Sequence, residues 1–100
     1  MATDEGKVKA RVKDLLKAYE AYWHCPVQNG MGAPSLDFVG CSKGRYFTVE
    51  TKAEGKGMTP RQELTATAIK KAGGKVFLIN ETSGLDELKE WIINEYQETN

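Results

Sequence analysis

Leu36-Asp-Phe-Val-Gly40, then Cys41-Ser-Lys-Gly44, then Arg45-Tyr-Phe-Thr-Val-Glu-Thr-Lys52 is the stretch from which the fold of this chain can be read. The run from 45 to 52 is rich in aromatic and β-branched residues, which suit a pleated strand, so its side chains should alternate between two faces. Tyr46, Thr48, Glu50 and Lys52 share one face; Phe47, Val49 and Thr51 share the other. The strand is therefore expected to turn an apolar side to a core and a polar side to chemistry. Residues 36 to 40 read as a second short strand, and Lys43-Gly44 as the loop of a hairpin. Counting outward from that loop pairs Ser42 with Arg45, Cys41 with Tyr46, Val39 with Thr48, and Asp37 with Glu50.

The last pair sets two carboxylates opposite each other on neighbouring strands, an arrangement that is repulsive in a bare sheet. A divalent cation between them reverses the sign of the interaction, and hard oxygen ligands suit Mg²⁺ or Mn²⁺. Lys52, one pleat further along the same face, sets an ammonium beside such an ion, where it favours a hydroxide nucleophile or stabilises charge growing on phosphate oxygens. Together these residue types serve phosphodiester hydrolysis. A Glu-x-Lys pair on a strand is by itself ordinary surface charge. The register of Asp37 is what lifts this one above that reading.

One hundred residues make a single domain, 1–100, able to bury one core without a covalent staple. Met1-Ala-Thr-Asp-Glu-Gly-Lys7 has no apolar run of the kind a signal peptide needs, so Cys25 and Cys41 are expected as reduced thiols in a cytoplasmic setting. His24 beside Cys25, with one distant Cys, lacks the paired spacing of a structural zinc site. No stretch approaches a membrane span.

The net charge of zero hides a segregation along the chain. Residues 1 to 40 balance. Residues 41 to 80 carry Lys43, Arg45, Lys52, Lys56, Arg61, Lys70, Lys71 and Lys75 against Glu50, Glu54 and Glu63, an excess of five positive charges. The tail is negative by the same amount. Positive density thus gathers around the carboxylate pair, where phosphate recognition needs it. Lys9, Lys13 and Lys17 add a stripe at helical spacing, which also suits a plain solvated face.

The flanking elements complete an architecture. Val8, Val12, Leu15, Leu16 and Tyr19 recur with helical period and predict a first helix from about Gly6 to Tyr22. Trp23 to Gln28 reads as an edge strand containing Pro26, and Asn29 to Ser35 as a glycine-bearing loop. Ala53 to Met58 reads as flexible. Thr59-Pro-Arg-Gln62 opens a second helix with an N-cap Thr, Pro at the first position and Gln at the third, and Gly73-Gly74 ends it. Lys75 to Asn80 reads as a strand of buried type, joined to the 45–52 strand by a parallel crossover. Leu85, Leu88, Ile92 and Tyr96 mark a last helix capped by Ser83 or Thr82, with Trp91 and Ile93 widening its apolar face.

Asp37, then Glu50-Thr51-Lys52 closing a strand, then Thr59-Pro60-Arg61-Gln62 opening a helix, then Gly73-Gly74-Lys75-Val76-Phe77 resembles the PD-(D/E)XK nuclease superfamily. Within it, the pattern is similar to the VRR-NUC family in its small stand-alone phage form, over roughly Gly32 to Ile79. The resemblance implies a restriction-endonuclease-like α/β core, a mixed four-stranded sheet flanked by helices in the order α-β-β-β-α-β-α. It implies that Asp37, Glu50 and the carbonyl of Thr51 bind Mg²⁺ or Mn²⁺, and that Lys52 and Gln62 complete the catalytic set. Many members carry Pro directly before the metal-binding Asp, whereas here Ser35 and Leu36 follow Pro34. An acid on the first helix occurs in some related nucleases, and Glu20 is the position that could supply one.

The implied activity is that of a metal-dependent endo- or exodeoxyribonuclease leaving 5′-phosphate and 3′-hydroxyl ends. The implied assembly is a homodimer acting on branched, flap or Holliday-junction DNA, in the host cytoplasm if phage-encoded; the apolar breadth around Trp91, Ile92 and Ile93 suits a seam, and core burial accounts better for any one of them. Two rival readings are a non-catalytic nucleic-acid-binding module with the same fold and a protein-interaction domain whose carboxylates are surface decoration.

Overall fold

The hairpin forms in the expected register: β2 (Phe38–Ser42) runs antiparallel to β3 (Arg45–Thr51), with Ser42 opposite Arg45, Cys41 opposite Tyr46, Val39 opposite Thr48 and Phe38 opposite Val49. Its loop has positive φ at both central positions, 50° at Lys43 and 85° at Gly44, the geometry whose twist matches that of the strands it joins. These coordinates come from a computed structural model that describes residues 4–27 and 34–94. Gln28 of the expected edge strand, residues 29–33 of the expected loop and Tyr96 of the expected last helix lie outside the described residues.

Around the hairpin the order is α1 (Asp4–Ala18), β1 (Tyr22–His24), β2, β3, α2 (Pro60–Lys71), β4 (Lys75–Ile79) and α3 (Leu85–Asn94). The sheet order is β1-β2-β3-β4, antiparallel except for the parallel β3–β4 pair, which α2 connects. Val8, Val12 and Leu16 of α1 and Leu88 and Ile92 of α3 pack with Phe38, Phe47, Val49, Phe77 and Ile79 into one buried cluster, so both helices cover the same face of the sheet. Gly40 is required there. A Cβ would sit 2.3 Å from the Tyr22 carbonyl oxygen and 2.8 Å from the Phe47 ring. Helix α2 lies across the opposite face, where Leu36 and Ala66 are buried outside that cluster.

Several boundaries differ from the sequence reading for identifiable reasons. Helix α1 stops at Ala18 because Glu20 adopts a left-handed conformation (φ 57°) and closes the helix. The Ala21 N–H reaches the Leu16 carbonyl and the Glu20 N–H reaches that of Lys17. The chain consequently enters β1 at Tyr22, and β1 ends at His24, short of Pro26. Strand β4 is an edge strand, with Leu78 and Lys75 exposed, so the apolar run is buried on one side only. Neither Thr82 nor Ser83 caps α3; both donate to the Asn80 side-chain oxygen, which organises the preceding turn. The 53–58 segment is tied down at one end, since Glu54 accepts from the Thr82 hydroxyl and its N–H donates to Glu81.

Ile92 is core, 2% exposed, Trp91 is half-buried and packs against Phe47 and Phe77 with ring centroids 5.7 and 5.6 Å away, and Ile93 is exposed. Arg45 stacks over Trp91 at 4.1 Å and donates to its carbonyl, which pins the hairpin to α3. Among the described residues no helix is long and apolar enough to cross a membrane.

Candidate functional site

The alternation of β3 places Glu50 and Lys52 on the α2 side of the sheet, but that side is not open. Thr48 is fully buried, its hydroxyl bonded to the Lys75 carbonyl, and Glu50 is only 3% exposed. The polar face expected at the surface is thus a low-dielectric environment, in which charge interactions act with much less screening than in water.

Asp37 stands just before β2 and faces the end of β3. Its Oδ2 accepts from the Thr51 N–H at 3.0 Å and from the Thr51 hydroxyl at 2.7 Å. Its own N–H donates to Glu50 Oε1 at 3.2 Å. The two acids therefore interlock across the strand pair, as the hairpin count requires. Asp37 replaces the backbone acceptor that β2 would offer Thr51, while on the other flank the Lys52 N–H continues toward the Ile79 carbonyl. Lys52 Nζ lies 3.5 Å from Glu50 Oε2.

Gln62 reaches the same carboxylate from α2. Thr59 caps that helix, accepting from the Gln62 N–H, and the Gln62 Oε1 accepts in return from the Thr59 N–H, a complete capping box. The other end of the same amide donates to Glu50 Oε2 at 2.9 Å. One side chain thus serves the helix start and the buried acid at once.

Burial pushes the Glu50 carboxyl above its ordinary range, and the negative charge of Asp37 adds to the rise; Lys52 and the Asp37 N–H oppose it. Among the described residues no group of three or more His, Cys, Asp or Glu gathers to hold a metal; the acidic oxygen donors brought together here are the Asp37 and Glu50 carboxylates. Such a set fits Mg²⁺ or Mn²⁺, which take hard oxygen donors; Mg²⁺ keeps several waters and needs only one or two carboxylates. It does not fit zinc.

Asp37, Glu50, Thr51, Lys52 and Gln62 are therefore brought together. Glu20 is exposed and closes α1. His24, Cys25 and Cys41 are exposed, and both thiols are free. The Thr51 hydroxyl, which anchors Asp37, was not anticipated; a β-branched polar residue between Glu and Lys was the available signal. A groove of about 980 Å³ lies apart from these residues, between α2 and the hairpin tip, bordered by Tyr46, Leu64, Ile69 and Trp91.

No protein-family model matches the sequence, and no curated protein matches it. Among solved structures, one described as "VRR_NUC domain" superposes with a TM-score of 0.73 over 95% of this chain and 100% of that one, at 22% identity. This chain has the restriction-endonuclease-like α/β fold of a VRR_NUC domain.

Proposed function

We propose that this protein is a divalent-metal-dependent DNA nuclease of the VRR-NUC type, hydrolysing phosphodiester bonds to 5′-phosphate and 3′-hydroxyl ends. The observation that carries the reading is the interlocked pair of acids: Glu50, 3% exposed, bonded to the Asp37 backbone and flanked by Lys52 at 3.5 Å. Asp37, Glu50 and the Thr51 carbonyl hold Mg²⁺ or Mn²⁺. When bound, the ion supplies Lewis acidity at a phosphate oxygen and lowers the pKa of water.

The chain's own residues do the rest. Thr51 fixes Asp37 through two hydrogen bonds, and Gln62 orients Glu50 through one. Lys52 stabilises the nucleophile or the charge developing on the phosphate, and Glu50 must be deprotonated for the site to form. The substrate is DNA with a branch, flap or four-way junction. A homodimer presents two such sites to two strands. Its seam draws on apolar side chains that are exposed in one protomer, Leu64 at 73%, Leu78 and Ile93, rather than on the buried Ile92.

Purified protein incubated with plasmid, flap and four-way-junction DNA, with and without Mn²⁺, tests this. Cleavage is expected only with metal. Asp37→Ala and Glu50→Ala should lose both Mn²⁺ binding and cleavage, whereas Lys52→Ala should lose cleavage and keep most of the metal affinity. DNA binding that is the same with and without metal, with no cut in any substrate, would establish the non-catalytic binding module instead.

A further inference from the structure

The basic stripe on α1 has a location that sequence spacing does not supply. Lys9 and Lys13, one helical turn apart, line a small cleft of about 310 Å³ whose other walls are Cys25, Pro26, Asp37 and Phe38. Lys17, the third member of the stripe, is not part of that wall. The cleft opens beside Asp37 on the flank of the acid pair away from α2, whereas Lys52 and Gln62 approach Glu50 itself.

Two lysines at i and i+4 repel along a helix. Glu5 offsets one of them, lying 3.8 Å from Lys9 at an exposed position, while no ion pair joins Lys13 among the described residues. Long lysine stems can carry both ammonium groups toward the cleft while their methylenes rest on its apolar wall. What such a pair lacks is an anion. Asp37 directs Oδ2 to Thr51, so the acid is held by the strand and no ion pair links it to either lysine among the described residues. Asp37 thus lines the cleft of the two lysines and also bonds to Glu50, which Lys52 meets.

We propose that Lys9 and Lys13 form a phosphate subsite for the DNA strand being cut, holding the phosphodiester next to the one at Asp37 and Glu50. The strand then runs along α1 into the site. The assignment of the central phosphate rests on the nuclease reading; the affinity of the two lysines for a backbone phosphate does not. Because the subsite grips a phosphate that does not react, it acts on binding.

The test compares the full chain with Lys9→Ala/Lys13→Ala, with Lys9→Arg/Lys13→Arg, and with Lys89→Ala on α3 as a control for general loss of charge. Flap-DNA affinity is measured with metal chelated across a salt series, using oligonucleotides with and without a 5′-phosphate, and cleavage kinetics are measured in Mn²⁺. The double alanine variant should lower the salt slope of log K by about 0.7–0.9, the loss of one neutralised phosphate. It should raise KM severalfold with kcat unchanged, and the arginine variant should restore both. Equal effects with and without the 5′-phosphate identify an internal phosphodiester; an effect confined to the phosphorylated strand overturns the internal assignment. A slope and KM like those of the wild type, or the same change in Lys89→Ala, or no binding of DNA by the wild type, overturns the subsite. Should the wild type cut no DNA with any metal while the slope still falls in the double variant, the subsite stands and the nuclease reading is what fails.

Discussion

Gln62 is the residue at which fold and site are joined, and its replacement has a cost that can be worked out in advance. Gln62→Ala removes the reach-back bond to the Thr59 N–H, 3.0 Å long at an exposed helix start, which contributes on the order of 0.5–1 kcal/mol. It also removes the 2.9 Å bond to Glu50 Oε2, whose acceptor is a nearly inaccessible carboxylate; bonds to charged groups contribute about 1.5–3 kcal/mol. The expected loss is therefore about 2–4 kcal/mol at pH 7, a sizeable part of the ~5–15 kcal/mol that holds a domain of this kind together. Thr59→Ala removes the other half of the capping box and leaves the Glu50 contact in place, so it should cost only about 1 kcal/mol.

The pH dependence separates the two contributions. The Gln62 amide donates to the ionised form of Glu50, so its absence raises the Glu50 pKa further, and the excess penalty of Gln62→Ala over Thr59→Ala shrinks once that carboxyl is protonated. Gln62→Glu keeps the capping acceptor but sets a second acid against Glu50. It should be worse than alanine at pH 7 and close to it at acid pH. Urea unfolding of the three variants at neutral and acid pH provides the measurement. Equal losses in Gln62→Ala and Thr59→Ala at pH 7, or an excess that does not change with pH, would refute the claim that the amide stabilises a buried charge.

Glu50 itself gives the apo protein a signature. Its carboxyl binds a proton more tightly in the folded than in the unfolded chain, so its contribution to stability is fully present below the ordinary value of 4.5 and is lost as pH rises through the raised folded value. Mn²⁺ should remove that falling limb, and Glu50→Gln should flatten it; urea midpoints over a pH series report both. Glu20→Gly relieves a left-handed conformation that disfavours L-residues and should stabilise the protein by roughly 0.5–1 kcal/mol in thermal melts, with cleavage intact. Loss of cleavage would instead make Glu20 a working acid. Gly40→Ala drives a Cβ into the Tyr22 carbonyl and the Phe47 ring and should cost about 2 kcal/mol or more, with β1 amides losing protection in hydrogen exchange.

What could be read from the sequence was whatever is fixed by short-range rules. A two-residue loop at Lys43-Gly44 determines every pairing up to Asp37 and Glu50, and a capping box is written entirely within Thr59 to Gln62, so both appear as expected. Boundaries that depend on the third dimension were not legible. Glu20 closes α1 in a conformation usually marked by Gly or Asn, and nothing in its residue type announces that. Val76 to Ile79 is apolar enough to be buried twice over, yet among the described residues β4 finds a neighbour on one side only. Arg45, counted among the cations available for phosphate, stacks on Trp91 46 residues away. The polar face of β3 alternates as expected, but that α2 roofs it follows from packing and not from period.

That roof changes what the acid pair means. An exposed Asp–Glu pair would be screened by water and would ask little of its surroundings. Here one carboxyl is nearly inaccessible, and its stabilising contacts come from different elements: the Asp37 N–H before β2, the Gln62 amide on α2 and the Lys52 ammonium at the end of β3. The site is thus complete only when hairpin and helix have both docked, which ties its assembly to folding. Even so, these contacts leave Glu50 above its ordinary pKa, because burial and the neighbouring Asp37 outweigh them. Replacing the pair with apolar residues would relieve that strain, and buried ion groups are often dispensable for stability. Burial and the neighbouring Asp37 disfavour the charged form of Glu50, which an added cation would favour. On the proposed reading, Asp37 and Glu50 would hold a hard divalent cation that offers more positive charge than Lys52, and Lys52 beside them would be placed to face a phosphate.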